Sequence, residues 1–301
     1  MARVSILMNG YNSEKYLREA IDSVYSQTYQ DWEIIFIDNC SSDNTAKIVK
    51  SYDHKIKYYQ TDKNIPLGAA RNFGLQYCTR EYIAFLDTDD IWLKDKLMTQ
   101  VELMDTNDKY QLSYGGVIYI DKLGKIIGSL RPKARSGEVF SQQLKRYEVN
   151  MQSVMLRNND KIRFDTTLRH SPDFDLFMHI ISHSQVNVIK EFLVKYRKLE
   201  NSLTSKNIDV WGQEMKKTLD EIFMNNSDLI NKYSLGYKMA YAKVAYYNAQ
   251  YLISLGNKDK ARKELSSVKY LSPRYMVLYL VSYFPRFLWN FIHKLKEKIN
   301  V

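Results

Sequence analysis

Four polar residues follow a short apolar run in this 301-residue chain. Asp87, Thr88, Asp89 and Asp90 come directly after residues 82–86, which are predicted to form a buried central strand. Carboxylates so close together repel one another unless a cation or protons neutralise them. Mg²⁺ or Mn²⁺ would neutralise them and would take its other oxygen ligands from phosphates and water. The alternative is a solvated acidic turn, which is common after strands.

Two further polar loops follow predicted strands, at residues 9–12 and 38–42. In open α/β sheets ligands gather outside the carboxyl ends of the strands, so these loops and residues 87–90 should share one binding edge. The first loop, Asn9-Gly10-Tyr11-Asn12, lacks the glycine-rich patterns that cradle phosphates, which argues against a dehydrogenase or a P-loop enzyme. Tyr11 could stack on a nucleobase or merely cover the edge of the sheet.

Short apolar runs alternate with amphipathic stretches through the first hundred residues, which predicts strands crossed over by helices in a mostly parallel α/β sheet. The predicted strands are 4–8, 32–38, 56–59 and 82–86, and the predicted helices are 13–28, 42–51 and 68–76. Strands at 112–120 and 152–156 and a helix at 173–183 should complete this part of the chain.

The last third of the chain is helical in pattern and basic. Lys and Arg balance Asp and Glu at 24 each through residue 189, but outnumber them 20 to 10 in residues 190–301. We predict two domains, a catalytic one at 1–203 and a helical extension at 204–301, with a helical hairpin at 237–271. The excess positive charge suggests a phosphate-bearing partner.

An aromatic and basic tail closes the extension. Its apolar runs are shorter than the roughly 20 residues that a bilayer span needs. Residues 272–301 suit an amphipathic helix lying on anionic lipid, although a helix docked on the catalytic domain is the alternative. No nucleic-acid motif is present, so we expect no nucleic-acid partner.

The cysteine content and the amino terminus indicate a cytoplasmic protein. Only Cys40 and Cys78 are present, too few for a disulfide framework and without the spacing of a metal or redox site. The first nine residues have the pattern of a strand and not that of an export signal.

The order of the motifs resembles that of the family 2 glycosyltransferases, whose catalytic domain has the GT-A nucleotide-diphospho-sugar transferase fold. The resemblance covers about residues 3–200 and rests on five segments in order: 4–12, 26–28, 33–43, 70–74 and 85–90. It implies that four residues hold the nucleoside: Asn9, Tyr11, Asp38 and Asn39. It also implies that Arg71 and Thr88 lie near the donor, and that Asp87 and Asp89 form the DxD pair that binds diphosphate and Mn²⁺ or Mg²⁺.

The resemblance further implies a general base at the start of the helix that follows the sheet, where this chain has Asp173. A carboxylate there would deprotonate the acceptor hydroxyl as it attacks the anomeric carbon, and the anomeric centre would be inverted. On local sequence alone, an acid favoured by the helix dipole is the alternative. His170 and Asp90 are the candidates for the acceptor site.

The chain departs from the family pattern at three places: Asn39 replaces a frequent Asp, Pro172 replaces a frequent Glu, and residues 196–199 lack a His. The QxxRW motif of processive synthases is also missing, which predicts single additions. The predicted function is an inverting, metal-dependent transfer of one hexose or N-acetylhexosamine from a nucleotide-sugar, which we expect to be a UDP-sugar.

The predicted acceptor is a saccharide or a polyprenyl-diphosphate-linked oligosaccharide in bacterial surface polysaccharide or glycolipid assembly, at the inner face of the cytoplasmic membrane. The alternative function is that of a non-catalytic nucleotide-sugar-binding protein with a helical partner-binding module.

Overall fold

The structure, a computed structural model, describes residues 3–199 and 208–284. These residues form two compact units. The first contains residues 3–140 and 148–199, and the second contains residues 141–147 and 208–284. Each unit therefore has its own architecture.

A nine-stranded sheet is the base of the first unit, as far as the chain is described. Its strands are β1 (Val4–Gly10), β2 (Trp32–Asp38), β3 (Ile56–Gln60), β4 (Tyr82–Phe85), β5 (Ile91–Trp92), β6 (Tyr110–Ile120), β7 (Ile126–Leu130), β8 (Met155–Arg157) and β9 (Gln185–Arg197). The spatial order is β3-β2-β1-β4-β8-β6-β9-β5, with β7 paired to β6.

The sheet is mixed, with four parallel and four antiparallel strand pairings among the described residues. β3, β2, β1 and β4 run in one direction, and Gly10 at the end of β1 pairs with Asp38 at the end of β2. β8 is antiparallel to both β4 and β6, and β9 is parallel to β6. The loops after β1, β2, β4, β6 and β9 therefore open at the same side, which we call the carboxyl edge; the opposite side is the amino edge.

Helices cover the sheet because their apolar residues recur at helical spacing. They are α1 (Leu17–Tyr25), α2 (Thr45–Val49), α3 (Leu67–Leu75), α4 (Lys96–Asp105) and α6 (Pro172–His183). α1 buries Leu17, Ile21 and Val24 against the core around β1 and β2. Each such side chain contributes about 1.5–3 kcal/mol when it is fully buried.

Most of the predicted elements of the first unit are confirmed, with one correction. The predicted strand 152–156 begins instead with a 3₁₀ turn, Met151–Ser153, and the strand β8 follows at Met155–Arg157. The side chain of Asn150 accepts a hydrogen bond from the N–H of Gln152, which closes the turn and takes Gln152 out of the sheet. The sequence did not predict β5, β7, β9 or α4.

The described part of the second unit is helical. α5 (Phe140–Lys145) begins in the first unit and continues into the second, which also contains α7 (Ile208–Asn225), α8 (Asp228–Lys232), α9 (Ser234–Ser254), α10 (Lys258–Ser266) and α11 (Pro273–Val281). α9, α10 and α11 share a core that includes Tyr246, Leu265 and Tyr275. The predicted hairpin is confirmed: α9 and α10 are joined through Gly256, whose φ of +84° suits glycine.

The predicted amphipathic tail is described only in part. α11 covers its beginning, and residues 285–301 lie outside the described residues. Among residues 3–199 and 208–284, no helix is both long enough and apolar enough to cross a bilayer.

Candidate active site

Three polar loops meet at the carboxyl edge, as the sequence predicts. The loop after β1 is joined to the loop after β2, because the N–H of Asn12 donates to Ser41 Oγ at 3.0 Å and the N–H of Ser42 donates to Asn12 Oδ1 at 2.9 Å. It is joined to the loop after β4 by Thr88 Oγ1, which donates to Ser13 Oγ at 2.9 Å. The three loops therefore form one continuous surface.

Close packing and unusual backbone conformations hold these loops. Gly10 allows the first loop to approach β2, since a Cβ atom there would lie 2.9 Å from the ring of Phe36. Asn12 and Cys40 adopt φ angles of 50° and 64°, a left-handed conformation that is uncommon for residues other than glycine. Such conformations cluster at functional sites, where surrounding contacts hold them in place.

The two residues predicted to hold the nucleoside after β2 are already engaged. Asp38 accepts hydrogen bonds from the hydroxyl of Tyr58 at 2.7 Å and from the N–H of Ser41 at 2.8 Å. Asn39 donates through Nδ2 to the carbonyl of Ile65 at 2.8 Å and accepts from the N–H of Ile65 at 3.0 Å. The amide of Asn39 thus pins the loop before α3, and its contact with a nucleobase stays a prediction.

Tyr11 and Asn9 lie at the end of β1. Tyr11 is 53% exposed, so its ring is open to solvent and available to a ligand. Asn9 is partly buried, and its Oδ1 atom has no hydrogen-bond partner within the described ranges. A buried acceptor without a partner is costly in a folded protein, and it is one place where a donor group of a ligand would be favoured.

The acidic loop, residues 87–90, concentrates charge that the protein only partly compensates. Burial and the neighbouring Asp87 carboxylate raise the pKa of Asp89 to about 6. Burial, Asp89 and Asp87 raise the pKa of Asp90 well above its usual range. Asp90 is 1% exposed, and its Oδ2 atom has no partner in the part of the chain that the structure describes. Its predicted contact with the acceptor stays a prediction.

Asp87 differs from the other two acids because donors reach both of its carboxylate oxygens. Arg71 donates to Oδ1 at 3.1 Å, and Gln152 donates to Oδ2 at 2.6 Å. The Arg71 side chain is only 6% exposed and lies over the ring of Phe164. α3 therefore supplies a predicted site residue, Arg71, that forms an ion pair with the acidic loop.

Arg197, at the end of β9, holds the far side of the acidic loop. Its backbone N–H donates to Asp90 Oδ1 at 2.6 Å, its Nε donates to the carbonyl of Asp89 at 2.9 Å, and its Nη2 pairs with Glu19 at 2.6 Å. The sequence identified this position only as one without a His. The structure shows that an arginine there ties the loop to β9 and α1.

Asp173 lies in the first turn of α6 and is partly buried. Burial raises its pKa, the Asp87 carboxylate adds to the rise, and Arg71 and the nearby N–H groups oppose it. Asp173 is thus within electrostatic range of Arg71 and Asp87, so the structure brings the predicted base to the same edge as the acidic loop. His170 is partly buried three residues earlier, in the segment that leads into α6.

The carboxylate oxygens of the acidic loop are suitable ligands for a hard divalent cation. Carboxylate oxygens are the ligands that Mg²⁺ and Mn²⁺ prefer, and one or two of them suffice when phosphates and water supply the rest. The raised pKa of Asp89 and the unpartnered Asp90 Oδ2 are the features that a cation would relieve.

Sequence comparison assigns the chain to a family. The model of Glycosyl transferase family 2 matches residues 5–177. A glycosyltransferase of uncharacterised function from Methanocaldococcus jannaschii is 34% identical over 203 residues, which are 64% of this chain and 70% of that protein. The Escherichia coli UDP-Glc:alpha-D-GlcNAc-diphosphoundecaprenol beta-1,3-glucosyltransferase WfgD is 30% identical over 245 residues, which are 78% of this chain and 94% of WfgD.

Solved structures agree on the fold. The structure of S. aureus TarS 1–349 in complex with UDP-GlcNAc superimposes with a TM-score of 0.59 at 18% identity, covering 85% of this chain and 84% of that one. The complex of the same protein with UDP gives a TM-score of 0.56 at 17% identity, covering 94% and 89%. Both the predicted GT-A fold and the predicted family are therefore confirmed. The chain belongs to the family 2 glycosyltransferases.

Proposed function

We propose that this glycosyltransferase moves one hexose or N-acetylhexosamine from a UDP-sugar onto an acceptor hydroxyl in the assembly of a bacterial surface polysaccharide or glycolipid. The observation that carries the proposal is the grouping of the acidic loop, Arg71 and Asp173 at one edge of the sheet. Two similar proteins support the substrate class, since WfgD is a UDP-Glc:alpha-D-GlcNAc-diphosphoundecaprenol glucosyltransferase and TarS was solved with UDP-GlcNAc.

The donor half of the site is assigned to the three loops. Tyr11 offers an exposed ring for stacking on the base, and Asn9 and Asp38 lie at the ends of β1 and β2 beside it. Arg71 carries a fixed positive charge that would favour the diphosphate, and it is held in place by Asp87. Thr88 is anchored by Ser13 and fixes the backbone between the two aspartates.

The acidic loop would hold Mn²⁺ or Mg²⁺ through Asp89, with Asp87 beside it. The bound cation would neutralise the charge that develops on the departing nucleoside diphosphate. The protein contributes a carboxylate whose pKa is raised by burial and by the neighbouring Asp87 carboxylate. Arg71 supplies positive charge on the other side of Asp87.

Asp173 is assigned as the general base, and the reaction as inverting. Its raised pKa makes the carboxylate a stronger proton acceptor than an ordinary aspartate. The acceptor hydroxyl would transfer its proton to Asp173 while its oxygen bonds to the anomeric carbon from the face opposite the leaving nucleotide. His170 and Asp90 are assigned to the acceptor side.

We also assign the second unit to contact with an anionic membrane surface, where a lipid-linked acceptor would be found. α11 and the residues after it expose Val277, Leu280, Tyr283 and Phe284, each by 51% or more. Arg274 lies in the first turn of α11, and Lys269 lies in the 3₁₀ turn Lys269–Leu271 just before it. Apolar side chains beside basic ones are the combination that binds the headgroup region of anionic lipid.

A thermal-shift panel tests the donor assignment. UDP-, GDP-, CMP- and dTDP-sugars are compared with and without Mn²⁺, because a ligand that binds only the folded protein raises its melting temperature. We expect one UDP-sugar to raise the melting temperature in a Mn²⁺-dependent way. NMR of the transfer product then establishes the anomeric configuration. The absence of any rise across the panel, or a rise only with a non-UDP donor, would overturn the assignment.

Flotation with anionic liposomes tests the membrane assignment. Val277→Gln combined with Leu280→Gln removes two exposed apolar side chains while it preserves the buried face of α11. Leu235→Gln combined with Leu255→Gln is the matched control, since both leucines are 56% exposed on α9 or at its end. We expect the first pair alone to lose binding, and equal flotation of all three proteins would contradict the assignment.

A further inference from the structure

The side chain of Gln152 clamps Asp87. The backbone N–H of Asp87 donates to Gln152 Oε1 at 2.7 Å, and Gln152 Nε2 donates back to Asp87 Oδ2 at 2.6 Å. One amide group therefore fixes both the backbone and the carboxylate of the same residue. With Arg71 on Oδ1, the orientation of the Asp87 carboxylate is determined from two sides.

Gln152 is itself held rigidly. It is 2% exposed, its N–H donates to Asn150 Oδ1 at 3.1 Å, and its carbonyl accepts from Trp92 Nε1 at 3.0 Å. The carbonyl of the next residue, Ser153, accepts from Gln100 Nε2 at 2.9 Å. The 3₁₀ turn that carries Gln152 is thus bound by β5 and α4, so the direction of its amide is set by the core of the unit.

Because of the clamp, the carboxylates of Asp87 and Asp89 have different hydrogen-bond partners and are suited to different roles. Both oxygens of Asp87 accept hydrogen bonds from side-chain donors, whereas the hydrogen bonds found for the Asp89 carboxylate within residues 3–199 come from its own backbone N–H. A carboxylate with open lone pairs is the one that can take a cation directly. Asp87 instead fixes the acidic loop and Arg71 relative to the core of the unit, through its hydrogen bonds with Gln152 and Arg71.

We infer that Gln152 is a positioning residue for the reaction, which fixes Asp87 so that the loop presents Asp89 to the cation and Arg71 to the donor. What the loop binds rests on the proposed function, while the clamp does not. Hydrogen bonds that orient the groups around a metal site are worth about 10–100-fold in metal affinity or activity. A similar contribution is expected of Gln152.

Gln152→Met tests the inference because methionine fills a similar volume and removes both hydrogen bonds. Gln27→Met is the matched control: Gln27 is also 2% exposed, and its amide joins backbone groups, donating to the carbonyls of Ser23 at 3.1 Å and Leu93 at 2.9 Å and accepting from the N–H of Leu97 at 3.0 Å. Within residues 3–199, the hydrogen bonds of the Gln27 side chain go to Ser23, Leu93 and Leu97 and not to the acidic loop, so this variant reports the cost of losing a buried amide alone.

Calorimetric titration with UDP in the presence of Mn²⁺ is the first readout. We expect Gln152→Met to weaken binding about 10–100-fold and Gln27→Met to leave it within about twofold, although both lower the melting temperature. Unchanged binding by Gln152→Met, with normal binding by the wild type, would overturn the inference and leave the proposed function standing.

Crystal structures of the unliganded wild type and both variants are the second readout, and they do not depend on any nucleotide. If the wild type binds no UDP, the proposed function fails, and these structures still decide the role of Gln152. A displaced Asp87 carboxylate in Gln152→Met alone supports the inference. An Asp87 carboxylate that keeps its position in Gln152→Met overturns it.

Discussion

At the amino edge of the sheet, carboxylates face guanidinium and ammonium groups; at the carboxyl edge, carboxylates crowd one another. Glu33 accepts from Arg80 at 2.8 Å and lies 3.0 Å from Lys57, and these contacts outweigh its burial and lower its pKa. Hydrogen bonds from Arg3 lower the pKa of Asp105. The pKa values of Glu33 and Asp105 are thus lowered, whereas those of Asp89 and Asp90 at the carboxyl edge are raised.

The difference is the one expected between an edge that serves stability and an edge that serves function. Compensated charges at the amino edge favour the folded state at neutral pH, because their carboxylates are stabilised by partners. The raised pKa values of Asp89, Asp90 and Asp173 mean that folding leaves these carboxylates short of stabilisation. Such uncompensated acids are typical of sites that await a cation, a substrate or a proton.

The largest expected effect comes from Asp173→Asn at the carboxyl edge. An amide cannot accept the acceptor proton, so the transfer rate should fall by about 10²–10⁴-fold, the usual contribution of a general base. Donor affinity in the presence of Mn²⁺ should stay unchanged, because the substitution preserves the size of the side chain and keeps one oxygen that can accept from the backbone N–H groups of the first turn. Steady-state transfer assays with parallel calorimetry measure both. Full activity with unchanged donor binding would exclude Asp173 as the base.

Asp89→Asn should stabilise the protein in EDTA. The substitution removes a carboxylate whose pKa is raised to about 6, and the expected gain at neutral pH is on the order of 2 kcal/mol in the free energy of unfolding. Mn²⁺ should then raise the melting temperature of the wild type but not that of the variant. A less stable variant, or one that still responds to Mn²⁺, would break the contrast between the two edges.

Glu33→Gln, at the amino edge, should lower the free energy of unfolding, whereas Asp89→Asn should raise it. Glu33 is 5% exposed, and the loss of its charge leaves Arg80 and Lys57 without their counterion, so we expect a loss of about 1–2 kcal/mol at neutral pH. The folded-state pKa is lowered, so this contribution is complete above the unfolded-state pKa and disappears as the pH falls through the folded-state pKa. Urea titrations from neutral to acid pH test this; a constant difference between the proteins would contradict it.

Arg3→Ala should have the smallest effect. Arg3 bonds Glu81 at 2.7 Å and Asp105 at 2.9 Å, but these side chains are 36–42% exposed. Exposed ion pairs contribute less than about 1 kcal/mol, and salt screens them. The expected loss is therefore below that of Glu33→Gln and should shrink further in high salt. If Arg3→Ala lowers the free energy of unfolding by more than Glu33→Gln does, burial does not determine how much the ion pairs of the amino edge contribute to stability.

The sequence was informative where a pattern has a direct structural meaning. Apolar runs ending in polar residues identified β1, β2 and β4, and the rule for carboxyl ends brought Asn12, Ser41 and Thr88 to one edge as observed. The position of Asp173 at the start of a helix also followed from its neighbours. Each strand or helix end is set by residues close together in the chain, and the shared edge then follows from strands that run in one direction.

Individual side-chain contacts between residues far apart in the chain could not be predicted. Gln152 lies 65 positions from Asp87, and Arg197 lies 107 positions from Asp90. A glutamine in an apolar segment gives no sign of which carboxylate it will meet, because its partner is set by the order of β4, β8 and β9 in the sheet. The one local signal was Asn150, whose side chain favours a turn and could have warned against a strand at Gln152.

The second unit takes a short piece of the chain from within the first. Residues 141–147 belong to it, and Leu144 is buried there: a Cβ atom added at Gly236 in α9 would lie 3.1 Å from its side chain. The chain therefore passes between the units more than once, and the helical unit is not a modular appendage that recombination could exchange by a single crossover. A chimaera that borrows the C-terminal helices of a relative must also borrow the seven residues that complete them.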